Sequence, residues 1–307
     1  MIGPLAGLLL FSQAASIDVR VPAPAGTLGG TLTLPSTGRA PFPAVTTLTG
    51  SGAHYRDGNR IPTHPYRPFR QIAETLASCG VATLRLDDRG VGESTGEASA
   101  ATAEDTAADA MAALAFLRSR PEIDPARVGL IGHSYGGEIA PMVAAADPAV
   151  AAVVLLAGPA RTFRETMRYQ NRYRIENDPS IAPADREKAL AEATIQQDAN
   201  VKASTEAWRP SIQDRDPLPT ARRLGMPVLI LQGSTDRAVP PEDAARLERA
   251  IREGGNRRVE RHLFRDVNHH FQRDPVGARE GYDRLPTQDL APEVLDTLCR
   301  WLGTTLR

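Results

Sequence analysis

The chain has 307 residues, of which 41% are hydrophobic and 24% are charged. This composition is ordinary for a soluble globular protein, and the length suits one α/β core with an insertion. Lys and Arg number 36 against 37 Asp and Glu, which gives a formal net charge of −1. The basic residues are dispersed, so there is no electrostatic case for binding to nucleic acid.

Residues 1–15 resemble an export signal only in part. An apolar run at residues 5–11 is followed by small residues typical of a cleavage region. The run is too short to span a bilayer, and no Lys or Arg precedes Arg20, whereas a secretory signal begins with positive charge. The segment is therefore predicted to be signal-like or flexible, and the sequence favours a cytoplasmic and an exported location equally.

Only two cysteines occur, Cys79 at a predicted helix end and Cys299 in an apolar helical run. Two thiols alone make neither a disulfide framework nor a metal cluster. Free cysteine often behaves as a small buried hydrophobe. The sequence therefore favours two buried thiols over a disulfide bridge.

The apolar pattern along the chain predicts an α/β fold. Residues 17–22 and 31–35 alternate apolar and polar side chains, which indicates an antiparallel hairpin at a sheet edge. After that hairpin, short apolar strands alternate with helices, a pattern typical of a parallel sheet covered on both faces. The predicted strands are 44–49, 81–87, 128–132, 151–156, 227–232 and 258–264, and the predicted helices are 69–78, 102–118, 134–145 and 293–302.

Residues 161–222 interrupt this alternation. They are rich in Arg, Glu, Gln and Asp, show no strand pattern, and have helical spacing near 162–175, 184–198 and 200–208. Apolar anchors such as Phe163 and Trp208 argue against a disordered linker. The predicted organisation is a core of residues 16–160 and 223–307 with a helical cap inserted at 161–222.

The segment Gly132–Gly136 fits the pattern Gly-x-Ser-x-Gly between a buried strand and an Ala-rich helix. In that context the serine occupies a sharp strand-to-helix turn, and small flanking residues let the backbones approach. The pattern alone is weak, because a chance match in a chain of this length is not rare. Its position at a strand-to-helix junction makes Ser134 the predicted nucleophile.

A serine hydroxyl needs a base, and the base needs an acid that orients it. Asn268–Phe271 forms a loop after the last predicted strand and offers His269 or His270 as the base. Asp236 follows a buried strand and is the first choice for the acid, with Asp266 as the runner-up. The order Ser134, Asp236, His269 is the chain order of the α/β-hydrolase triad.

An oxyanion hole needs two backbone N–H groups that face the developing negative charge. Tyr135, next after the nucleophile, is predicted to supply one of them. The glycine-rich turn Gly50–Gly52 is predicted to supply the other, from Ser51 in the first place and from Gly52 in the second. A plain glycine turn is the alternative interpretation of that segment.

Over about residues 28–305 the chain resembles the α/β-hydrolase superfamily, in particular bacterial carboxylesterases of the dienelactone-hydrolase-like branch. Five segments carry the resemblance in order: Gly50–Gly52 with Arg56-Asp57, Asp87–Ser94, Gly132–Gly137, Gly233–Asp236 and Asn268–Phe271. The resemblance implies a cap over an acyl pocket and assigns the base to His269. Two departures stand out, since dienelactone hydrolases have cysteine where Ser134 stands, and Ala53-His54 replaces the common Pro-Gln. Residues Asp87–Arg89 are interpreted as structural, with an arginine ion pair that holds the loop.

The resemblance implies ester hydrolysis through an acyl-enzyme on Ser134. The predicted cap is polar and rich in Arg, without the long apolar face of a lipase lid, which favours small-molecule esters of short to medium chain as substrates. This mechanism requires no metal or organic cofactor, and neither a nucleic-acid nor a membrane partner is expected. Thioesterases, amidases and peptidases share the same triad, and a non-catalytic ligand-binding homologue is the alternative of another class. The sequence does not indicate an oligomeric state.

Overall fold

A computed structural model describes residues 14–307, so most of the predicted 1–15 segment lies outside the described residues. Its centre is an eight-stranded sheet with the order β1-β2-β4-β3-β5-β6-β7-β8. The first two strands form the predicted antiparallel hairpin at one edge, and the strands from β4 to β8 along this order are parallel. The strands are β1 Ser16–Ala23, β2 Gly26–Thr33, β3 Phe42–Leu48, β4 Ala82–Leu86, β5 Ile123–His133, β6 Val153–Leu156, β7 Val228–Gly233 and β8 Val259–Phe264.

Helices cover both faces of this sheet. Adjacent residues of one strand point to opposite faces, and Leu130 and Ile131 of β5 belong to two different apolar clusters. The first cluster includes Leu114, Ile139 and Leu247, and the second includes Phe69 and Leu298. The helices are α1 Pro68–Ser78, α2 Ala103–Ser119, α3 Gly136–Ala146, α4 Phe163–Glu176, α5 Arg186–Lys202, α6 Trp208–Ile212, α7 Leu218–Ala221, α8 Asp243–Glu253 and α9 Pro292–Thr305.

The start of α2 shows how local sequence fixes an element. Asp105 N–H donates to the Thr102 hydroxyl at 3.2 Å, and Thr102 N–H donates to the Asp105 carboxylate at 3.0 Å. This reciprocal capping box satisfies two of the N–H groups that a helix N-terminus leaves without partners. The predicted start of this helix at residue 102 is therefore correct to one residue.

The predicted helices differ from the structure at two places. No helix spans 200–208, because α5 extends to Lys202 and the chain then turns, with the Ser204 hydroxyl accepting from Glu206 N–H at 3.0 Å. Helix α8, between β7 and β8, was not predicted. Its buried residues Ala244, Leu247 and Ile251 recur at helical spacing, but numerous charged residues separate them.

The cysteine prediction is wrong, because Cys79 and Cys299 form a disulfide with their Cα atoms 5.8 Å apart. Cys79 follows α1 and Cys299 lies in α9, and these two helices pack against each other. The thiols are 220 residues apart in sequence, so only the tertiary fold brings them together. Within residues 14–307, none of the helices has both the length and the apolar character needed to cross a membrane.

Candidate active site

Ser134 occupies a tight turn between β5 and α3. Its φ is 55°, in the left-handed region that non-glycine residues seldom adopt. The turn is held to the sheet because Ser134 N–H donates to the Leu156 carbonyl at 2.9 Å. A side chain at Gly132 would overlap the carbonyl oxygen of Gly136, so the backbone approach here requires glycine. The strained strand-to-helix turn that the sequence predicts is present.

His269 lies between Ser134 and Asp236 and contacts both. Its Nε2 is 3.0 Å from the Ser134 Oγ, and its Nδ1 is 2.8 Å from the Asp236 Oδ2. The three residues follow or end β5, β7 and β8, whose carboxyl ends meet at one edge of the parallel sheet. In this geometry the carboxylate can orient the imidazole while the imidazole accepts a proton from the hydroxyl.

Asp236 is fully buried and has a complete set of donors. Its Oδ1 accepts from the N–H groups of Ala238 at 2.7 Å and Val239 at 2.8 Å. Its Oδ2 accepts from the Gln232 amide at 2.8 Å, in addition to the contact with His269. These bonds fix the carboxylate in one orientation, which in turn fixes the imidazole.

The two alternative residues do not reach the serine. The His270 ring stacks on Tyr66, with ring centroids 4.4 Å apart, and lies 4.6 Å from the Tyr282 ring. Burial, together with the nearby His269, keeps the pKa of His270 well below its usual value. Asp266 lies 3.4 Å from Arg265 and has a side chain that is 42% exposed. The structure therefore brings His269 and Asp236, and not His270 or Asp266, to Ser134.

A hydrogen-bonded loop presents His269. The Asn268 Oδ1 accepts from the backbone N–H groups of His270 at 2.9 Å and Gln272 at 3.0 Å. The His133 Nε2 lies 2.9 Å from the His269 carbonyl oxygen, which can only accept. Burial, with a smaller effect from His269, lowers the pKa of His133 to about 3, so a neutral His133 ring donates this bond. His133 thus holds the backbone of His269 in place.

Three histidine rings meet at this edge of the sheet. The His133 ring lies 4.8 Å from the His269 ring and 6.4 Å from the His270 ring, centroid to centroid. Clustered histidines are common metal ligands. Nevertheless, residues 14–307 contain no group of three or more His, Cys, Asp or Glu side chains arranged to hold a metal ion. The rings instead pack against one another and against aromatic neighbours.

The predicted oxyanion residues divide between two cavities. Ser51 and Tyr135 line the same cavity as Ser134, whereas Gly52 lines an adjacent one. The loop passes directly beside the nucleophile, because a Cβ on Gly50 would lie 3.7 Å from the Ser134 Cβ. Among residues 14–307, neither the Ser51 nor the Tyr135 amide donates a backbone hydrogen bond. These two amides can therefore serve an oxygen at the serine, and Gly52 is the less suitable of the two loop candidates.

The segment after β4 supports this loop. The Asp88 carboxylate accepts from the Thr49 hydroxyl at 2.8 Å and from the His54 N–H at 2.9 Å. Arg89 forms an ion pair with Asp109 at 2.9 Å. The structural role predicted for Asp87–Arg89, including its arginine ion pair, agrees with these contacts.

The cavity at Ser134 has a volume of about 200 Å³. Core residues line it together with two helices. Helix α4 contributes Phe163 and Met167, and α6 contributes Trp208. The Trp208 ring packs 5.2 Å from the Tyr135 ring and 5.4 Å from the Phe163 ring. The helical segment between β6 and β7 therefore completes the wall of the cavity.

Glu138 is the one carboxylic side chain in this lining among the described residues. It lies on α3, is 5% exposed, and its Oε1 has no hydrogen-bond partner within residues 14–307. Burial raises the pKa of Glu138 to about 8, so the side chain is predominantly neutral at pH 7. A neutral carboxylic acid next to the nucleophile is a polar group without charge.

Sequence reasoning missed Gln232, His133 and Glu138. Each is a polar residue inside or next to an apolar run: Gln232 ends the run of β7, His133 follows that of β5, and Glu138 lies in the Ala-rich α3. A buried polar residue needs a partner or a function, so polar interruptions of core elements are the signal that could have revealed them.

Several known proteins are similar to this chain. Residues 65–276 match the family described as Serine aminopeptidase, S33. Esterase EstD of Thermotoga maritima is 28% identical over 283 residues. The match covers 90% of this chain and 65% of EstD, so the chain spans less than two thirds of that relative.

Two solved structures show the same fold at low identity. An esterase of Pyrococcus furiosus superposes with a TM-score of 0.62 at 16% identity, over 96% of this chain and 92% of its own. The carboxylesterase EstE1 from a metagenomic library superposes with a TM-score of 0.63 at 17% identity, over 97% of this chain and 92% of its own. The predicted α/β-hydrolase fold is confirmed.

Proposed function

Since the chain belongs to the serine aminopeptidase S33 family, we propose that it is a serine hydrolase that cleaves carboxylic esters through an acyl-enzyme on Ser134. The observation that carries this proposal is the continuous contact from Ser134 Oγ to His269 Nε2 at 3.0 Å and from His269 Nδ1 to Asp236 Oδ2 at 2.8 Å. The resemblance to esterase EstD supports it.

In the first step His269 accepts the hydroxyl proton as Ser134 attacks the acyl carbonyl. The Asp236 carboxylate holds the imidazole in the required tautomer and stabilises its cation. The amides of Ser51 and Tyr135 receive the oxyanion, since both line the cavity at the serine. His269 then protonates the leaving alcohol, and a water that the same imidazole activates releases the acid.

We propose that residues 161–222 act as a cap that limits the size of the acyl group. Phe163, Met167 and Trp208 from this segment line the cavity of about 200 Å³. Sites for drug-sized ligands measure about 300–1,000 Å³, so this cavity suits a smaller group. The expected substrates are esters of short to medium chain length.

The charges at the site favour esters over peptides with a free N-terminus, which are the substrates of an aminopeptidase. An aminopeptidase has to bind the ammonium group of a peptide N-terminus, which calls for carboxylates close to the nucleophile. Here Glu138 is the carboxyl group in the lining, and burial raises its pKa to about 8. The remaining charged lining residues are arginines. An N-terminal ammonium group would meet like charge.

The test is hydrolysis of p-nitrophenyl esters from acetate to palmitate by the protein and by its Ser134→Ala variant. An amino-acid p-nitroanilide serves as the aminopeptidase substrate. We expect turnover of the short esters, a loss of at least about 10⁴-fold in the variant, and little cleavage of the anilide. Anilide cleavage in preference to every ester would replace the proposal with a peptidase function.

A further inference from the structure

Four arginines line the cavity at Ser134: Arg60, Arg161, Arg209 and Arg279. Two of them have carboxylate partners, since Arg161 pairs with Asp243 at 2.5 Å and Arg209 pairs with Glu206 at 2.5 Å. Arg60 and Arg279 have no carboxylate within 4.0 Å among residues 14–307. Two guanidinium groups therefore face one small cavity without an ion-pair partner in the described part of the chain.

The protein contacts of these two side chains are neutral. Arg60 donates to the carbonyl of Ser51 and, at 3.3 Å, to the His54 ring. Arg279 reaches the Gln170 side-chain oxygen at 3.4 Å. The acidic residues whose charges act on Arg60 already have other donors, because Glu206 pairs with Arg209 and Asp88 accepts from the backbone of His54.

The two cations are near enough to affect each other. Burial lowers the pKa of Arg60, and the charge of Arg279 is the next largest cause of that decrease. Like charges at close range cost free energy unless an anion lies between them. Glu138 does not supply that anion at neutral pH, because it is protonated. The site thus holds two positive charges that have no ion-pair partner within 4.0 Å in the described part of the chain, whose net charge is −1.

We propose that the substrate of this site is an ester that carries a carboxylate, and that Arg60 and Arg279 bind this carboxylate while the ester carbonyl lies at Ser134. The inference rests on the proposed esterase function and adds the substrate class. Arginine suits this task because its planar guanidinium group binds carboxylates through paired, charge-assisted hydrogen bonds. Both arginines reach solvent, although Arg60 is partly buried, so the carboxylate binds at the mouth of the cavity and the scissile bond lies inside it.

The experiment compares kcat/KM for three esters: p-nitrophenyl butyrate, mono-p-nitrophenyl glutarate and 4-carboxyphenyl butyrate. The second carries the carboxylate on the acyl side and the third on the alcohol side. The proteins are the wild type, Arg279→Gln, and the control Arg284→Gln, which removes an exposed arginine of the same turn that donates to the Glu280 carbonyl and does not line the cavity.

We expect the wild type to prefer one of the two anionic esters over the neutral one. This preference should fall about tenfold in Arg279→Gln, remain unchanged in Arg284→Gln, and weaken as sodium chloride is raised. The anionic ester that is preferred identifies the side of the ester bond on which the carboxylate binds. A wild type that prefers the neutral ester, or an equal preference in Arg279→Gln and wild type, would overturn the inference and leave the esterase function intact.

If the folded wild type hydrolyses none of these esters, the proposed esterase function fails. A direct measurement of glutarate binding then tests whether Arg60 and Arg279 bind a carboxylate. Calorimetric titration with glutarate should show binding to the wild type and to Arg284→Gln, and binding about tenfold weaker to Arg279→Gln. Absence of glutarate binding to the wild type, or equal binding to all three proteins, would reject an anion-binding role for Arg60 and Arg279.

Discussion

The sheet edge and the helical segment 161–222 contribute to the same cavity but are built differently. At the sheet edge, Asp236 is fully buried and accepts four hydrogen bonds. In the helical segment, Arg164 pairs with Asp198 and Asp214 through side chains that are 32–69% exposed. Exposed ion pairs of this kind contribute about 0–1 kcal/mol each, and buried networks fix geometry far more firmly. The proposed reacting groups therefore lie on the region with the firmer polar contacts, and part of the pocket wall lies on the region whose polar contacts are weaker.

The two regions are nevertheless connected beside the acid. The Tyr169 hydroxyl of α4 donates to the backbone carbonyl of Asp236 at 2.9 Å. The Gln170 side chain, also on α4, donates to the carbonyl of Ala238 at 2.9 Å. Helix α4 thus holds the turn that positions the carboxylate. The helical segment is predicted to affect specificity mainly, and catalysis only through this contact.

The largest expected effect comes from Asp236→Asn. The amide is nearly isosteric with the carboxylate, but it cannot stabilise the imidazolium ion and favours the wrong tautomer of His269. We expect kcat for p-nitrophenyl butyrate to fall by about 10⁴-fold with a small change in KM. Stopped assays at high enzyme concentration can measure the residual rate.

Asp266→Asn is the matched control, because Asp266 was the other candidate acid and its side chain, which is 42% exposed, contacts Arg265 instead of the triad. Its kcat should stay within about twofold of the wild type, as expected for a surface substitution. A loss in Asp266→Asn comparable to that in Asp236→Asn would contradict the assignment of the acid.

The next effect concerns Glu138, at the boundary of the two regions. Burial raises the pKa of its carboxyl from 4.5 to about 8. The folded protein therefore binds this proton more tightly than the unfolded chain does. The stability linked to this proton is fully present below pH 4.5 and is lost as pH rises towards 8, on the order of 5 kcal/mol in total. Glu138→Gln keeps the side chain neutral, so it should raise Tm relative to the wild type at pH 8.5 and change it little at pH 4.5.

Thermal unfolding at both pH values measures this difference. Glu192→Gln is the control, since Glu192 is an exposed residue of α5 whose only ion pair among the described residues, with Lys188, spans 3.9 Å. Its Tm difference from the wild type should be small at both pH values. Equal Tm differences for Glu138→Gln at pH 4.5 and pH 8.5 would show that the carboxyl group titrates normally.

The residues of the proposed triad could be located from the sequence because their signals are local. Ser134 lies in a motif whose glycines are required because a side chain there would overlap the neighbouring backbone. Asp236 lies shortly after an apolar strand. The choice between His269 and His270 was different, since both belong to one loop and only the tertiary fold turns one ring towards the serine and stacks the other on Tyr66. Local pattern located the loop, and the family resemblance selected the residue.

Features that depend on distant segments were not accessible from the sequence. The disulfide joins Cys79 to Cys299 across 220 residues, and no local pattern encodes the packing of α1 on α9. Arg60 and Arg279 likewise come from loops far apart in the chain and meet only at the mouth of the cavity. Their charges are visible in the sequence, but their lack of counter-ions is a property of the folded chain.

The smallest expected effect tests the wall that the helical segment supplies. Trp208 and Tyr135 line both the cavity at Ser134 and an adjacent, mainly apolar cavity of about 250 Å³. Trp208→Leu shortens this side chain and is expected to open one cavity to the other, while a Leu retains much of the apolar packing. Burial of each further methylene contributes about 0.8 kcal/mol, or about fourfold in kcat/KM.

Octanoate has four more methylenes than butyrate, and we expect the opened cavity to bury between one and two of them. The ratio of kcat/KM for p-nitrophenyl octanoate to that for the butyrate should then rise about tenfold in Trp208→Leu. Ile195→Ala is the control, because Ile195 is 71% exposed on α5 and does not line either of the two cavities. A selectivity ratio unchanged in a folded Trp208→Leu variant would mean that the sheet edge alone sets chain length. A higher ratio of octanoate to butyrate, with unchanged kcat on butyrate, would assign the two tasks to different regions. The strands would carry the chemistry, and the inserted helices would select the acyl chain.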